Sequence, residues 1–159
     1  MQGLALPAQP LPTQPSEVDT FVAVTRDLVG VALRSIAPEG ISVPQFRLLL
    51  TLHEQGRLPS ARVARALEIA PSSVTRLADR LVSAGLVERG GIPEHRGVVA
   101  LSLRPAGAAL VQRVLRRRVE ELSAVLDRLQ PDRRAAAAEA LSIVHEVLGE
   151  NTTIGKVVL

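Results

Sequence analysis

The stretch APSSVTRLADRLVSAGLVER, residues 70–89, decides how this chain is read. Val74, Leu77, Ala78, Leu81 and Val82 follow an i, i+3, i+4, i+7, i+8 spacing, which predicts one buried face of a helix. The opposite face carries Ser72, Ser73, Thr75, Arg76, Asp79 and Arg80. Pro71 suits the first turn, where a missing N–H costs nothing, and Gly85 suits the left-handed position just past the end. Arginine can bond guanine twice, and serine or threonine can bond bases or phosphates, so the polar face has the chemistry to read a major groove. Taken alone, such a helix is more often an ordinary surface element. Its neighbours decide between the two.

The preceding segment supplies the first neighbour. Ser60 is expected to start a short helix through Leu67 that buries Val63, Ala64 and Leu67, and only Glu68, Ile69 and Ala70 separate it from Pro71. Two short helices joined so tightly, the second with a polar reading face, form the helix-turn-helix pattern. After Gly85 the period changes from helical to alternating. Leu86–Arg89 and Val98–Leu103 read as two antiparallel strands, joined by a loose polar tip from Gly90 to Gly97. A hairpin directly after a helix-turn-helix makes a winged helix, whose tip can reach the adjacent minor groove, where arginine is the usual probe.

Composition narrows the rest. Among 159 residues, 47% are hydrophobic but only 1% aromatic, Phe21 and Phe46 being the only phenylalanines. The core must be built of Leu, Val and Ala, and the near absence of rings argues against stacking of unpaired bases. Cysteine is absent, which excludes disulfides, thiol nucleophiles, thiol redox switches and Cys-based zinc sites. Neither a membrane-spanning apolar run nor a signal-peptide pattern is seen, so a cytoplasmic protein is expected. The net charge is +3. Its distribution is uneven: residues 57–104 hold eight arginines against four acids, whereas residues 1–56 hold three against five. A basic surplus around the candidate reading helix suits a polyanion partner.

Outside the winged segment, residues 1–15 carry four prolines and read as a flexible arm. Ser16 is expected to cap a helix from Glu17 to about Ile36, with Val18, Phe21, Val22, Leu28, Val29, Ala32, Leu33 and Ile36 as its apolar stripe. A second helix, Val43 to about Glu54, has Ser42 as its cap and is apolar nearly all round. Helices from Pro105 to about Leu129 and from Pro131 to Gly149 follow, and residues 150–159 are expected to fray. The expected architecture is mostly α with a small β-hairpin wing. The winged helix-turn-helix domain covers residues 37–104, and residues 16–36 and 105–149 supply dimerisation helices. These carry more apolar stripe than a small winged domain can cover, which a homodimer resolves.

Three fragments in this order resemble the MarR family of bacterial transcription regulators: VPQFRLLLTLHEQG from Val43, the segment Ser73-Val74-Thr75-Arg76-Leu77 through Gly85-Leu86-Val87-Glu88-Arg89, and VVALSLRPAG from Val98. The resemblance spans about Ser16 to Gly149. It implies a homodimeric repressor that binds a pseudo-palindromic operator in double-stranded DNA and is released by a small-molecule effector. By position it makes Ser72, Ser73, Thr75, Arg76 and Arg80 the groove and phosphate contacts. The wing departs from the family's common Asp-Pro-Glu-Asp-Arg-Arg, reading Ile92-Pro93-Glu94-His95-Arg96-Gly97. Either Arg96 still probes the minor groove, or the wing touches phosphate alone. By analogy, an effector pocket would lie where the first, second and fifth helices meet, with Phe21, Arg26, Phe46, His53 and Arg113 as candidate lining. The shortage of rings favours an aliphatic or anionic ligand.

Other signals are weak. His53-Glu54 lacks the second histidine of a zinc-protease helix, since Arg57 stands in its place, and His53, His95 and His145 lie in different elements. No metal or cofactor is expected. Arg116-Arg117-Arg118 falls mid-helix, where consecutive residues point three ways, and reads as solvated or paired between helices. Two rivals stand beside DNA binding. One is a winged-helix dimer acting through protein–protein contact with a degenerate wing. The other, an enzyme, finds no paired carboxylates or nucleophile–histidine spacing to support it.

Overall fold

The computed structural model describes residues 14–92 and 95–151. Six helices and three short strands follow in the order α1 (Pro15–Ile36), α2 (Val43–Gln55), β1 (Leu58–Pro59), α3 (Ser60–Leu67), α4 (Pro71–Ser83), β2 (Val87–Ile92), β3 (His95–Leu103), α5 (Pro105–Leu126) and α6 (Pro131–Asn151). Five of the six helices begin with proline in the first turn: Pro15, Pro44, Pro71, Pro105 and Pro131. The fixed φ of proline suits that position, and its missing N–H would have no helical partner there.

Local signals set most boundaries. Ser42 caps α2, its hydroxyl accepting from the Gln45 N–H while the Gln45 side chain accepts from the Ser42 N–H at 2.8 Å. Gly56 ends the helix with φ of 73°. At α1 the expected cap at Ser16 is corrected. The helix starts two residues earlier, at Pro15, with Gln14 as its cap, and the Gln14 N–H donates to the Glu17 carboxylate at 2.6 Å. Pro15 thus belongs to α1 and not to an arm, and residues 1–13 of the expected arm lie outside the described residues. Helix α5 stops at Leu126, short of the expected Leu129, because the N–H groups of Arg128 and Leu129 turn back to Val125 and Leu126. Pro131 follows, and a proline steers the residue before it away from helical conformation. Glu150 and Asn151 extend α6, so the expected tail begins later, and residues 152–159 lie outside the described residues.

The core of the winged unit is aliphatic around one ring. Phe46, Leu48, Leu49, Leu50 and Leu52 of α2 pack with Val63 and Leu67 of α3, Val74, Ala78 and Leu81 of α4, Val87 and Leu101 of the sheet, and Leu110, Val111 and Val114 of α5. Full burial of each large apolar side chain stabilises by about 1.5–3 kcal/mol. Val82, expected on the buried face of α4, remains 37% exposed. Eight residues turn a helix about 80° past its starting direction. Val82 therefore swings off the seam that Val74 and Leu81 hold.

The sheet is antiparallel with strand order β1-β3-β2. β2 pairs with β3 from Val87↔Leu103 to Gly91↔Val99, so both wing strands run well beyond the expected Leu86–Arg89 and Val98–Leu103. Gly90 and Gly91, expected in the loose tip, are strand residues. Glycine has no side chain to show alternation, which hid this extension. β1 is a two-residue addition, Leu58↔Leu101 and Pro59↔Ala100, too short to leave a periodic trace.

Candidate nucleic-acid interface

Helix α4 carries the candidate reading face. The α3–α4 turn is tight: Glu68 takes a left-handed conformation with φ of 56°, and the Ile69 N–H donates to the Ala64 carbonyl at 3.1 Å. The first turn of α4 has no side-chain cap; Pro71 brings no N–H to it, and the Ser73 and Val74 N–H groups turn back to the Ala70 carbonyl at 2.9 and 3.3 Å. Ser72, Thr75, Arg76 and Arg80 are exposed and Ser73 is half-buried. All five expected contacts therefore sit on one helix, with Ser72, Arg76 and Arg80 in an i, i+4, i+8 row. The Thr75 hydroxyl donates to the Pro71 carbonyl at 3.2 Å, and Arg76 reaches the Ser73 hydroxyl at 3.4 Å. Neither bond is strong enough to withhold these groups from a groove.

Asp79, the one acid of α4, is neutralised by Arg89 of β2. The Arg89 Nη1 donates to the Asp79 carboxylate at 2.7 Å, and Nη2 donates to the Thr75 carbonyl at 3.2 Å. This fork bolts the wing's first strand to α4 and offsets the negative charge on its polar face. The sequence places both residues but does not reveal their pairing, since only the hairpin's return toward α4 brings them together. Arg96 lies in β3, and its side chain is outside the described residues.

The candidate effector residues are dispersed. Phe46 is 1% exposed inside the core, with the Arg118 guanidinium 6.0 Å over its ring, whereas Phe21 on α1 is 51% exposed. Arg26 is exposed and lies 3.8 Å from Asp27, and His53 is exposed in the last turn of α2. Arg113 of α5 is engaged by Glu39 at 2.7 Å. Among the described residues, two grooves lie near these helices. One of about 370 Å³ on α5 is lined by Gln112, Leu115, Arg116, Val119 and Glu120. The other, about 300 Å³ between α1 and α5, is lined by Thr25, Leu28, Val29, Val31, Ala32, Arg118 and Leu122. None of the five expected residues lines either groove. Arg118, which the sequence shows only as part of a triple-arginine run, borders the second, and burial pulls its pKa below the ordinary arginine value.

Ion pairs join this unit to the long helices beside the apolar packing of Leu110, Val111 and Val114. Glu39, in the single 3-10 turn Ala37–Glu39 after α1, accepts from Arg113 at 2.7 Å and from Arg117 at 2.5 Å, its side chain only 7% exposed. The Arg113 hydrogen bond, reinforced by Arg117, holds the Glu39 carboxyl below its usual range against the opposing pull of burial. Arg34 of α1 pairs with Glu121 of α5 at 2.5 Å. In the triple-arginine run, Arg117 and Arg118 thus both turn toward α1 and its exit.

Among the described residues no cluster of His, Asp or Glu could hold a metal ion, and no helix is long and apolar enough to cross a membrane. The MarR family model matches residues 41–96. The chain is similar to the transcriptional repressor MdtR of Bacillus subtilis, 31% identical over 106 residues that cover 67% of this chain and 68% of that protein. It is also 32% identical over 95 residues to the uncharacterised regulator YhbI of the same organism, covering 60% of this chain and spanning 62% of YhbI. Both relatives are named as transcriptional regulators of the helix-turn-helix type. Among solved structures it resembles Rv1404 of Mycobacterium tuberculosis, with a TM-score of 0.80 and 31% identity over 88% of this chain and 97% of that one. The fold is shared with NadR, solved in complex with 4-hydroxyphenylacetate, at a TM-score of 0.67 and 22% identity over 94% of this chain and 99% of that one. A polar reading helix, a three-stranded wing bolted to it, and relatives of this identity and coverage lead to one conclusion: the chain belongs to the MarR family of winged helix-turn-helix transcription regulators.

Proposed function

We propose that the chain is a homodimeric repressor that binds a pseudo-palindromic operator in double-stranded DNA and is released by a small-molecule effector. The observation that carries this reading is the exposed row Ser72, Arg76 and Arg80 on α4, with Asp79 silenced by Arg89. Ser73 and Thr75 add bonds to bases or phosphate, and Arg96 at the wing is the proposed minor-groove probe. The repressor sense is supported by the name of the relative MdtR.

The dimer rests on uncovered apolar surface. Val18, Phe21 and Val22 of α1, Val119 and Val125 of α5, and Leu141, Ile143, Val147 and Leu148 of α6 are all exposed. Stripes of this extent on three helices suit burial against a second copy. Two reading helices one DNA turn apart, about 34 Å, require half-sites about 10 base pairs apart.

For the effector, the groove between α1 and α5 offers an aliphatic wall with a cation at its edge, Arg118, which fits an aliphatic or aromatic carboxylate. That NadR binds 4-hydroxyphenylacetate supports a carboxylate ligand for this fold. Of the residues expected around such a pocket, Phe46 meets the groove through Arg118, whereas Phe21, Arg26, His53 and Arg113 would have to be drawn in by the second subunit or by closure.

The deciding experiment is fluorescence anisotropy of the protein on its own upstream DNA across a salt series, with light scattering for mass. A dimer whose affinity falls steeply and log-linearly with salt is the expected result. Absence of binding to any fragment at low salt would refute it and favour the protein–protein reading.

A further inference from the structure

Arg57 stands at the end of the α2–β1 turn, immediately after Gly56, whose left-handed φ of 73° redirects the chain toward the sheet. Its neighbour Leu58 pairs with Leu101 of β3, so Arg57 enters on the β1 side. In the order β1-β3-β2, the wing's glycine pair lies on the far strand. The Arg57 guanidinium nevertheless reaches β2: its Nη2 donates to the Gly91 carbonyl. It also occupies the space that a side chain on Gly90 would fill, since a Cβ there would overlap the guanidinium.

The wing has reason to need such a contact. Two consecutive glycines lose more conformational freedom on folding than any other pair, and they stiffen a strand poorly. The tip has Ile92 and Gly97 where the charged pattern of related wings would stand. We propose that Arg57 is a positioning residue for DNA binding: it clamps β2 at Gly90-Gly91 and sets where the wing lies against the DNA flanking the site read by α4. Gly90 is the matching half of the clamp, kept free of a side chain so that the guanidinium can lie across the strand. The role rests on the DNA-binding reading above. It differs from a phosphate contact, because the guanidinium is committed to a backbone carbonyl of its own protein.

That distinction makes the test. Arg57→Ala removes the clamp and one positive charge, whereas Gly90→Ala displaces the guanidinium and leaves the charge in place. Operator affinity is measured for both variants and their double, over a salt series, with hydroxyl-radical footprints. Each single change should weaken binding about tenfold, because the loosened wing must be ordered again on the DNA each time the protein binds. The double should lose no more than either single. The slope of log affinity against log salt should stay unchanged, and protection should fade at the outer edges of the footprint while persisting under α4. In the free protein, amide exchange in β2 should quicken in both variants, while the melting temperature falls by no more than a few degrees. A slope reduced by about 0.9 in Arg57→Ala, with Gly90→Ala at parental affinity, would show a phosphate contact and overturn the proposal. So would parental affinity and exchange in both variants. Failure of the parent to bind any DNA would refute the DNA-binding reading, and the clamp's role with it.

Discussion

Gly107→Ala gives two physical rules opposite signs at one position. Gly107 sits in the first turn of α5, buried where that helix leaves the wing. Helix propensity alone favours alanine over glycine by up to about 1 kcal/mol. The packing says otherwise. A Cβ on Gly107 would stand 3.1 Å from the Leu86 carbonyl carbon, closer still to its oxygen, and 3.2 Å from Leu103 Cδ2. Leu103 could turn aside, but Leu86 could not. Its N–H is held by the Leu81 carbonyl at 2.9 Å, and its carbonyl accepts from the Arg104 N–H at 3.0 Å. Relief therefore requires α5 to move away from the α4–β2 joint. Overpacking of this kind costs about 1–3 kcal/mol, and a rigid backbone obstacle belongs in the upper half of that range. Subtracting the propensity gain leaves a net loss of about 1–2 kcal/mol. Urea unfolding followed by circular dichroism, at one fixed protein concentration, reads this directly. Gly149→Ala in α6 is the control. A Cβ there meets nothing within 4 Å, so stability should hold or rise by up to about 1 kcal/mol. A Gly107→Ala protein as stable as the parent, or more so, would refute the argument.

Three further outcomes follow from the geometry. Arg76→Ala should weaken operator binding by about 1–3 kcal/mol and relax preference at one base pair, read by selection from a random DNA pool. Arg89→Ala should cost under about 1 kcal/mol of stability, because the pair with Asp79 is partly exposed, yet lower DNA affinity more steeply by unbolting the wing and uncovering Asp79. Equal losses in unfolding and binding assays would count against that split. Glu39 supplies a pH test. Its folded pKa lies below the ordinary 4.5, so its stabilisation is complete above that value and is lost as pH falls below it. Glu39→Gln should therefore flatten the acid limb of urea midpoint against pH and leave its slope near neutrality unchanged.

Features written in contiguous residues are legible from the sequence alone. Proline at helix starts, Ser42 with Gln45, Gly56 and Gly85 at helix ends, and the apolar spacing of Val74 to Leu81 each act within a turn or two of chain. They determine three of the six helices to within a residue, and with them the helix-turn-helix that carries the candidate reading face. They even point to the wing, though glycine conceals its length. The tertiary structure decides which side chains meet across the fold. Arg57 and Gly91 are 34 residues apart, and Glu39 lies 74 and 78 residues from Arg113 and Arg117. Contacts at such separations leave no period in the sequence, because either partner reads as one more solvated charge until the chain returns. The same holds for Phe46, whose ring belongs to the core and meets the α1–α5 groove only through Arg118. Local hydrogen bonding and helical geometry thus make the reading helix predictable. The clamps that aim it, Arg89 on Asp79 and Arg57 on the glycine pair, exist only because packing α2, α4 and the sheet together carries distant residues to within hydrogen-bond reach.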